Sequence, residues 1–160
     1  MVTKLNISTT GYKETNEAFK NIRKELTNFN VPLMNSGEYY LEEIDKNFKT
    51  QGKTFSEGWE PLSESTIKIK QKEYDKGRAI AVNEPLIRTG EMRESFYFDI
   101  TKNNVTINNK LTYALSHQLG IGVPKRLLAA VDNTRTLKVV NIFETWLTNI
   151  LNKNFNNTQI

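Results

Sequence analysis

The sequence predicts an α+β fold: a small, mostly antiparallel sheet centred on a β-hairpin, flanked by two N-terminal amphipathic helices and a C-terminal helix. Three patterns carry this. Apolar residues recur at helical spacing through Glu14–Phe29 and again through Met34–Phe48. Phe96, Phe98 and Ile100 alternate with polar neighbours, and after Lys102-Asn103-Asn104 the alternation resumes at Val105 and Ile107. Val139, Phe143, Trp146 and Ile150 then mark one face of a third long helix, expected over Thr136–Leu151.

The elements follow in order. Val2–Ser8 carries Leu5 and Ile7 at a period of two and reads as a short strand before Thr9-Thr10-Gly11. Phe19, Ile22, Leu26 and Phe29 form the apolar face of the first helix, with Thr10 or Thr15 as its cap. Asn30-Val31-Pro32 turns the chain, and Pro32 suits the first position of the second helix. Met34, Leu41, Ile44 and Phe48 line that helix, which ends near Thr50-Gln51-Gly52. Phe55–Thr66 reads FSEGWEPLSEST and is loop-like, with Trp59 folded back over the core and Ser63 capping a short charged helix that ends near Gly77. Ile67–Lys70 also alternates as a strand would, but the Pro-Leu-Ser lead favours the helix. Thr89 caps one or two helical turns in which Met92 points inward. Leu111–Leu119 makes a short helix closed by Gly120, and Leu127–Val131 is a short apolar run.

A chain of 160 residues is long enough for one domain with a core: a helical part over 1–50, a central part over 55–150, and a frayed polar tail over 152–160. Three loops, Gly52–Pro61, Arg78–Pro85 and Gly120–Arg135, combine breakers with little apolar periodicity and are expected to gain order mainly on assembly.

Charge and chemistry exclude more than they select. The 22 basic residues are interleaved with 18 acidic ones, leaving a net charge of only +4. Lys68, Lys70, Lys72, Lys76 and Arg78 are the best basic cluster, diluted by Glu73 and Asp75, and Lys68, Lys70, Lys72 and Arg78 are candidate interface residues. A nucleic-acid-binding module using Lys68–Arg78 is therefore the alternative function, and contact with DNA is open. No cysteine is present, so disulfides and thiolate metal sites are excluded, and neither a metal nor a cofactor is expected. No stretch reaches the roughly 20 apolar residues of a membrane span, and the N-terminus lacks a signal-peptide run, so no membrane role is expected. His117 is the sole histidine; a small hydrolase would use it as base with Ser95 or Ser116 as nucleophile. Neither serine has a nucleophile-elbow context, so a structural histidine is favoured and no catalytic residue is assigned.

The order of motifs is more specific than any one of them. Trp59-x-Pro61-Leu62-Ser63-x-x-Thr66 resembles a W-x-P-L-S-x-x-T segment of the phage virion-morphogenesis, or tail-completion, family. Leu86-Ile87-Arg88-Thr89-Gly90-Glu91-Met92-Arg93-Glu94-Ser95 is similar to that family's L-x-x-T-G-x-L-R-x-S segment, with Met92 where leucine is usual. Tyr113-Ala114-x-x-His117-Gln118-x-Gly120 resembles its Y-A-x-x-H-Q-x-G segment. Pro124 and Arg126 match a following P-x-R-P-F pattern, whereas Leu127 and Leu128 replace its Pro and Phe. The resemblance covers roughly Phe55–Ile150 and implies a non-enzymatic structural protein of the virion, acting at the head–tail junction or the head-proximal tail end after assembly in the host cytoplasm. It also implies a ring of identical subunits, with head–tail connector or tail-tube and terminator proteins as partners. The motif residues are expected to shape the fold more than to hold ligands. Lys68, Lys70, Lys72, Arg78, Pro124 and Arg126 are the expected interface residues, and Arg88 and Arg93 are expected in ion pairs within or between subunits.

Overall fold

A computed structural model describes residues 11–155. The strand expected at Val2–Ser8, the Thr10 cap and the end of the polar tail lie outside the described residues. Among those described, six helices and one two-stranded antiparallel sheet form the α+β fold that the patterning predicts. The order is α1 (Tyr12–Glu25), α2 (Asn30–Lys49), α3 (Glu64–Asp75), α4 (Glu91–Glu94), β1 (Phe96–Ile100), β2 (Val105–Asn109), α5 (Thr112–Leu119) and α6 (Asn133–Phe155).

The first helix ends earlier than its periodicity suggests. Leu26 caps α1, and Phe29 lies outside it as the residue preceding α2. Phe29 instead pins the α1–α2 corner to α6, its ring centroid 6.2 Å from Phe143 and 5.6 Å from Trp146. Phe19 is 58 % exposed and meets only the edge of Phe155, so Ala18 and Ile22 form the buried face of α1. In α2, Pro32 falls within the first turn, where its missing N–H has no intrahelical acceptor to lose. Met34 was expected inside but points to solvent. Leu33, Ser36 and Gly37 take the inward face instead, and the Ser36 hydroxyl donates to the Pro32 carbonyl at 2.7 Å.

The hairpin pairs Phe96 with Asn109, Phe98 with Ile107 and Ile100 with Val105. Its half-buried face packs on α2, while Tyr97, Asp99 and Thr106 face solvent. Close approach depends on Gly37: a Cβ there would stand 2.6 Å from the Phe98 ring. Phe48, with no exposed surface, meets Phe96 on one side and the edge of Trp59 on the other, at 6.1 and 5.1 Å. Ile44, Ile87, Met92, Ala114 and Leu128 complete this core.

Several expectations about the connections need correction. The Gly52–Pro61 loop is fixed within the chain: Gly52 N–H donates to the Asn47 carbonyl at 2.8 Å and Trp59 N–H to the Gln51 carbonyl at 2.7 Å. Between Arg78 and Pro85, Ala79 is buried and Ile80 N–H bonds the Arg88 carbonyl at 2.6 Å. In the third loop Leu128 is only 2 % exposed. Hydrogen bonds internal to one chain thus order these segments, where breakers and charge alone suggested assembly-dependent order. Thr89 makes only a long contact, 3.4 Å from the Glu91 N–H, and Gly90 occupies the cap position of α4. Helix α6 begins before Thr136, because the Asp132 carboxylate accepts the Arg135 N–H at 2.9 Å. It continues through Phe155, with Lys153 bonded to Glu25 at 3.0 Å, so residues 152–155 are helical where fraying was expected.

Two substitutions test this packing. Gly37→Ala should lower the unfolding free energy by about 1–3 kcal/mol in urea titrations, because overpacking against Phe98 outweighs the gain of about 1 kcal/mol that alanine brings to an open helical site. Asn47→Ala should cost about 1–3 kcal/mol by the same measurement, since it removes hydrogen bonds to the Leu127 carbonyl and the Phe55 N–H from a fully buried side chain.

Candidate functional site

Asn47 is fully buried on α2, and its side chain organises the loops around it. Its amide nitrogen donates to the Leu127 carbonyl at 2.9 Å, and its oxygen accepts the Phe55 N–H at 3.3 Å. The Trp59 indole donates to the same Leu127 carbonyl at 3.0 Å. Gly52 makes room for that indole, since a Cβ at its φ of +90° would lie 2.3 Å from the ring. From the other side, Gln118 on α5 clamps the strap, its oxygen accepting Leu128 N–H at 2.7 Å and its nitrogen donating to Ala129 O at 2.8 Å. Residues distant in sequence are thereby held around one opening.

That opening is a cleft of about 900 Å³, and the motif segments line it together. Pro61, Leu62, Ser63 and Thr66 come from the loop and the start of α3. Ser63 caps α3 as expected, its hydroxyl accepting the Thr66 N–H at 3.3 Å. Arg88, Thr89 and Met92 form a second wall; Tyr113, His117, Pro124 and Arg126 close the third. Trp59 and Ala114 lie behind the walls in the core, Gly90 is buried against Ile80, and Gly120 ends α5 with a φ of +76°. Ser95 is buried with its hydroxyl donated to the Met92 carbonyl at 2.8 Å. Arg93 does not reach the cleft walls and pairs with Asp45 at 2.5 Å within the chain, whose carboxyl this hydrogen bond holds below the usual range.

The expected basic interface is taken apart by the fold. Lys70 is buried, its ammonium donating to the Glu84 and Ile87 carbonyls at 2.6 and 2.9 Å, and burial lowers its pKa. Arg78 forms a fork with Glu73, both bonds 2.8 Å, which neutralises it locally. Lys68, Lys72 and Arg78 are exposed, but with Arg78 paired to Glu73 they do not make the concentrated basic face that nucleic acid requires. Arg126 was likewise expected at the surface but is only 5 % exposed.

Burial, and then the Arg126 charge, lower the His117 pKa, opposed by a hydrogen bond to the Pro124 carbonyl. Burial and the Glu91 carboxylate raise the Tyr113 phenol. The His117 Nδ1 and the Arg126 Nε are both enclosed without a hydrogen-bond partner. The roles of Asn47, Arg135 and the Leu127 carbonyl escaped the sequence reading. Asn47 sits in a polar run of a helix, and only the Asp132-Asn133-Thr134 lead hinted that Arg135 would be held at a helix start. Among the described residues no group of three or more His, Asp or Glu side chains is arranged to hold a metal ion, and no helix is long and apolar enough to cross a membrane.

Compared with known proteins, residues 11–148 match the model of the phage virion morphogenesis family. No curated protein and no solved structure matches.

The depressed His117 pKa sets a pH dependence. In the folded chain the ring resists protonation, so the unfolded state binds the proton first as pH falls. The stability involved is fully present above the unfolded value of about 6.5 and is lost as pH falls through the lower folded value. Melting temperature should therefore drop between about pH 7.5 and pH 5.5, and His117→Gln should flatten that drop. Equal slopes for both proteins would show that another group governs this window.

Proposed function

We propose, given that this chain belongs to the phage virion morphogenesis family, that it is a non-enzymatic structural protein which completes the tail or joins head to tail, as one subunit of a ring. The observation that carries this is the convergence of three separated motif segments on one cleft whose walls mix apolar and polar side chains. An arrangement suited to catalysis would bring a base to a nucleophile; here Ser95 is committed to a backbone carbonyl and His117 faces a cation. Shape and burial, rather than acid–base chemistry, are what these residues provide.

A ring subunit needs two complementary surfaces, because its contacts are heterologous. Helix α6 offers one of them. Leu137, Val140, Leu147 and Leu151 recur at helical spacing beside its buried face and are 68, 45, 39 and 38 % exposed. Burying such a stripe against a neighbouring copy would contribute on the order of 25 cal/mol per Å² of apolar surface. In the particle the protein would lie at the head–tail junction or the head-proximal tail end, against connector or tail-tube and terminator proteins.

Deleting the coding sequence from a phage or prophage that carries it should yield filled heads without joined tails, or tails with faulty ends, under the electron microscope. Normal infectious particles would refute the role. In sedimentation experiments the wild-type chain should associate with rising concentration, while Leu147→Glu should remain monomeric with unchanged helix content; indistinguishable association would remove α6 from the ring contact.

A further inference from the structure

Two arginines are buried among the described residues, and they differ in whether a carboxylate is bonded to them. Arg135 is 8 % exposed and bonds Glu43 at 2.7 Å, Asp132, and the Thr54 carbonyl at 2.7 Å, with its guanidinium 4.4 Å from the centre of the Phe55 ring. Burial works against its charge, yet these partners outweigh burial and raise its pKa. Arg126 is more enclosed, at 5 %, and its guanidinium has a single acceptor, the Glu60 carbonyl, at 3.2 Å from Nη2. Among the described residues no carboxylate is hydrogen-bonded to it and Nε has no partner; burial lowers its pKa, opposed by the Glu60 charge. A buried cation with one neutral acceptor is costly to keep, and this one lines the cleft beside His117.

We propose that the cleft receives an extended peptide segment of another virion protein, whose side-chain carboxylate lies on Arg126 while its apolar neighbours cover Ile69 and Tyr113. This rests on the structural reading above, in which the cleft meets protein. The occupant's charge follows from the guanidinium on the cleft wall, to which no carboxylate among the described residues is hydrogen-bonded. The cleft's own acids, Glu60 and Glu91, are exposed, where water screens them, whereas Arg126 is buried and attracts an anion with less screening. Arg88, exposed on the same wall, adds to that attraction. The occupant's apolar character follows from Ile69 and Tyr113, which line the cleft yet stay 63 and 45 % exposed. Phosphate would satisfy the charge alone and leave those apolar side chains uncovered.

The test uses the full chain labelled with ¹⁵N and two blocked pentapeptides, Ala-Leu-Asp-Leu-Ala and its neutral counterpart Ala-Leu-Asn-Leu-Ala. The acidic peptide should shift the Arg126 Nε–H and His117 ring resonances and bind at least about tenfold more tightly than the neutral one, as a charged hydrogen bond implies. Arg126→Gln should abolish that preference. Because that variant is liable to misfold, Arg88→Gln, altered only on the exposed wall, should weaken the acidic peptide several-fold without moving the melting temperature. Equal affinities, absent shifts, or shifts remote from the cleft would overturn the proposal. So would inorganic phosphate or a short DNA duplex moving the same resonances at lower concentration than the acidic peptide. Binding by the isolated chain is read independently of particle morphology. Normal particles after deletion would therefore remove the assembly role while leaving this site standing, and failed peptide binding would do the reverse.

Discussion

The carbonyl of Leu127 is the point on which the structure turns. It accepts from the Asn47 amide on α2 and from the Trp59 indole in the loop that follows, at 2.9 and 3.0 Å. Both donors are buried, and leaving either unpaired would cost about 1–3 kcal/mol. One backbone oxygen thus ties together a helix, a loop and a strap from distant parts of the chain. Trp59 reaches it packed T-shaped against Phe48 and in the space that Gly52 leaves empty.

Everything around the cleft inherits its position from that node. Once Leu127 is fixed, Leu128 enters the core on one side and Arg126 is drawn under the surface on the other. Gln118 bonds the backbone of Leu128 and Ala129, so α5 and its His117 are set against the same strap. The price of this arrangement is a buried guanidinium to which no carboxylate among the described residues is hydrogen-bonded, the Glu60 charge acting on it without a bond. Arg135 shows that the fold can supply carboxylates to a buried arginine where the chain provides them, as it does at Glu43 and Asp132. The contrast between the two arginines is a difference in partners, since both are nearly equally enclosed.

Periodicity located most elements because burying one face of a helix or strand leaves a repeat in the sequence. The hairpin, the α3 cap at Ser63, the inward Trp59 and Met92, and the Gly120 stop were all legible in this way. Boundaries and side-chain faces were less so. Phe29 continued the α1 pattern in sequence but serves as a pin against Phe143 and Trp146, and Met34 lost the inward face to Leu33. Helix α6 outran its apolar pattern because Asp132 caps one end and contacts from α1 hold the other.

By itself, the sequence determined the α+β class, the order of elements and, through three ordered motifs, membership of a virion morphogenesis family. These depend on local spacing and residue type, which a linear pattern records. Only the tertiary structure decided that Lys70 and Arg126 are buried rather than displayed, that Arg93 is answered by Asp45, and that the motifs meet around a single cleft. The reason is that a charge's environment is set by whichever segments pack against it. Here those segments are joined by hydrogen bonds between residues far apart in the chain, and no local pattern encodes them.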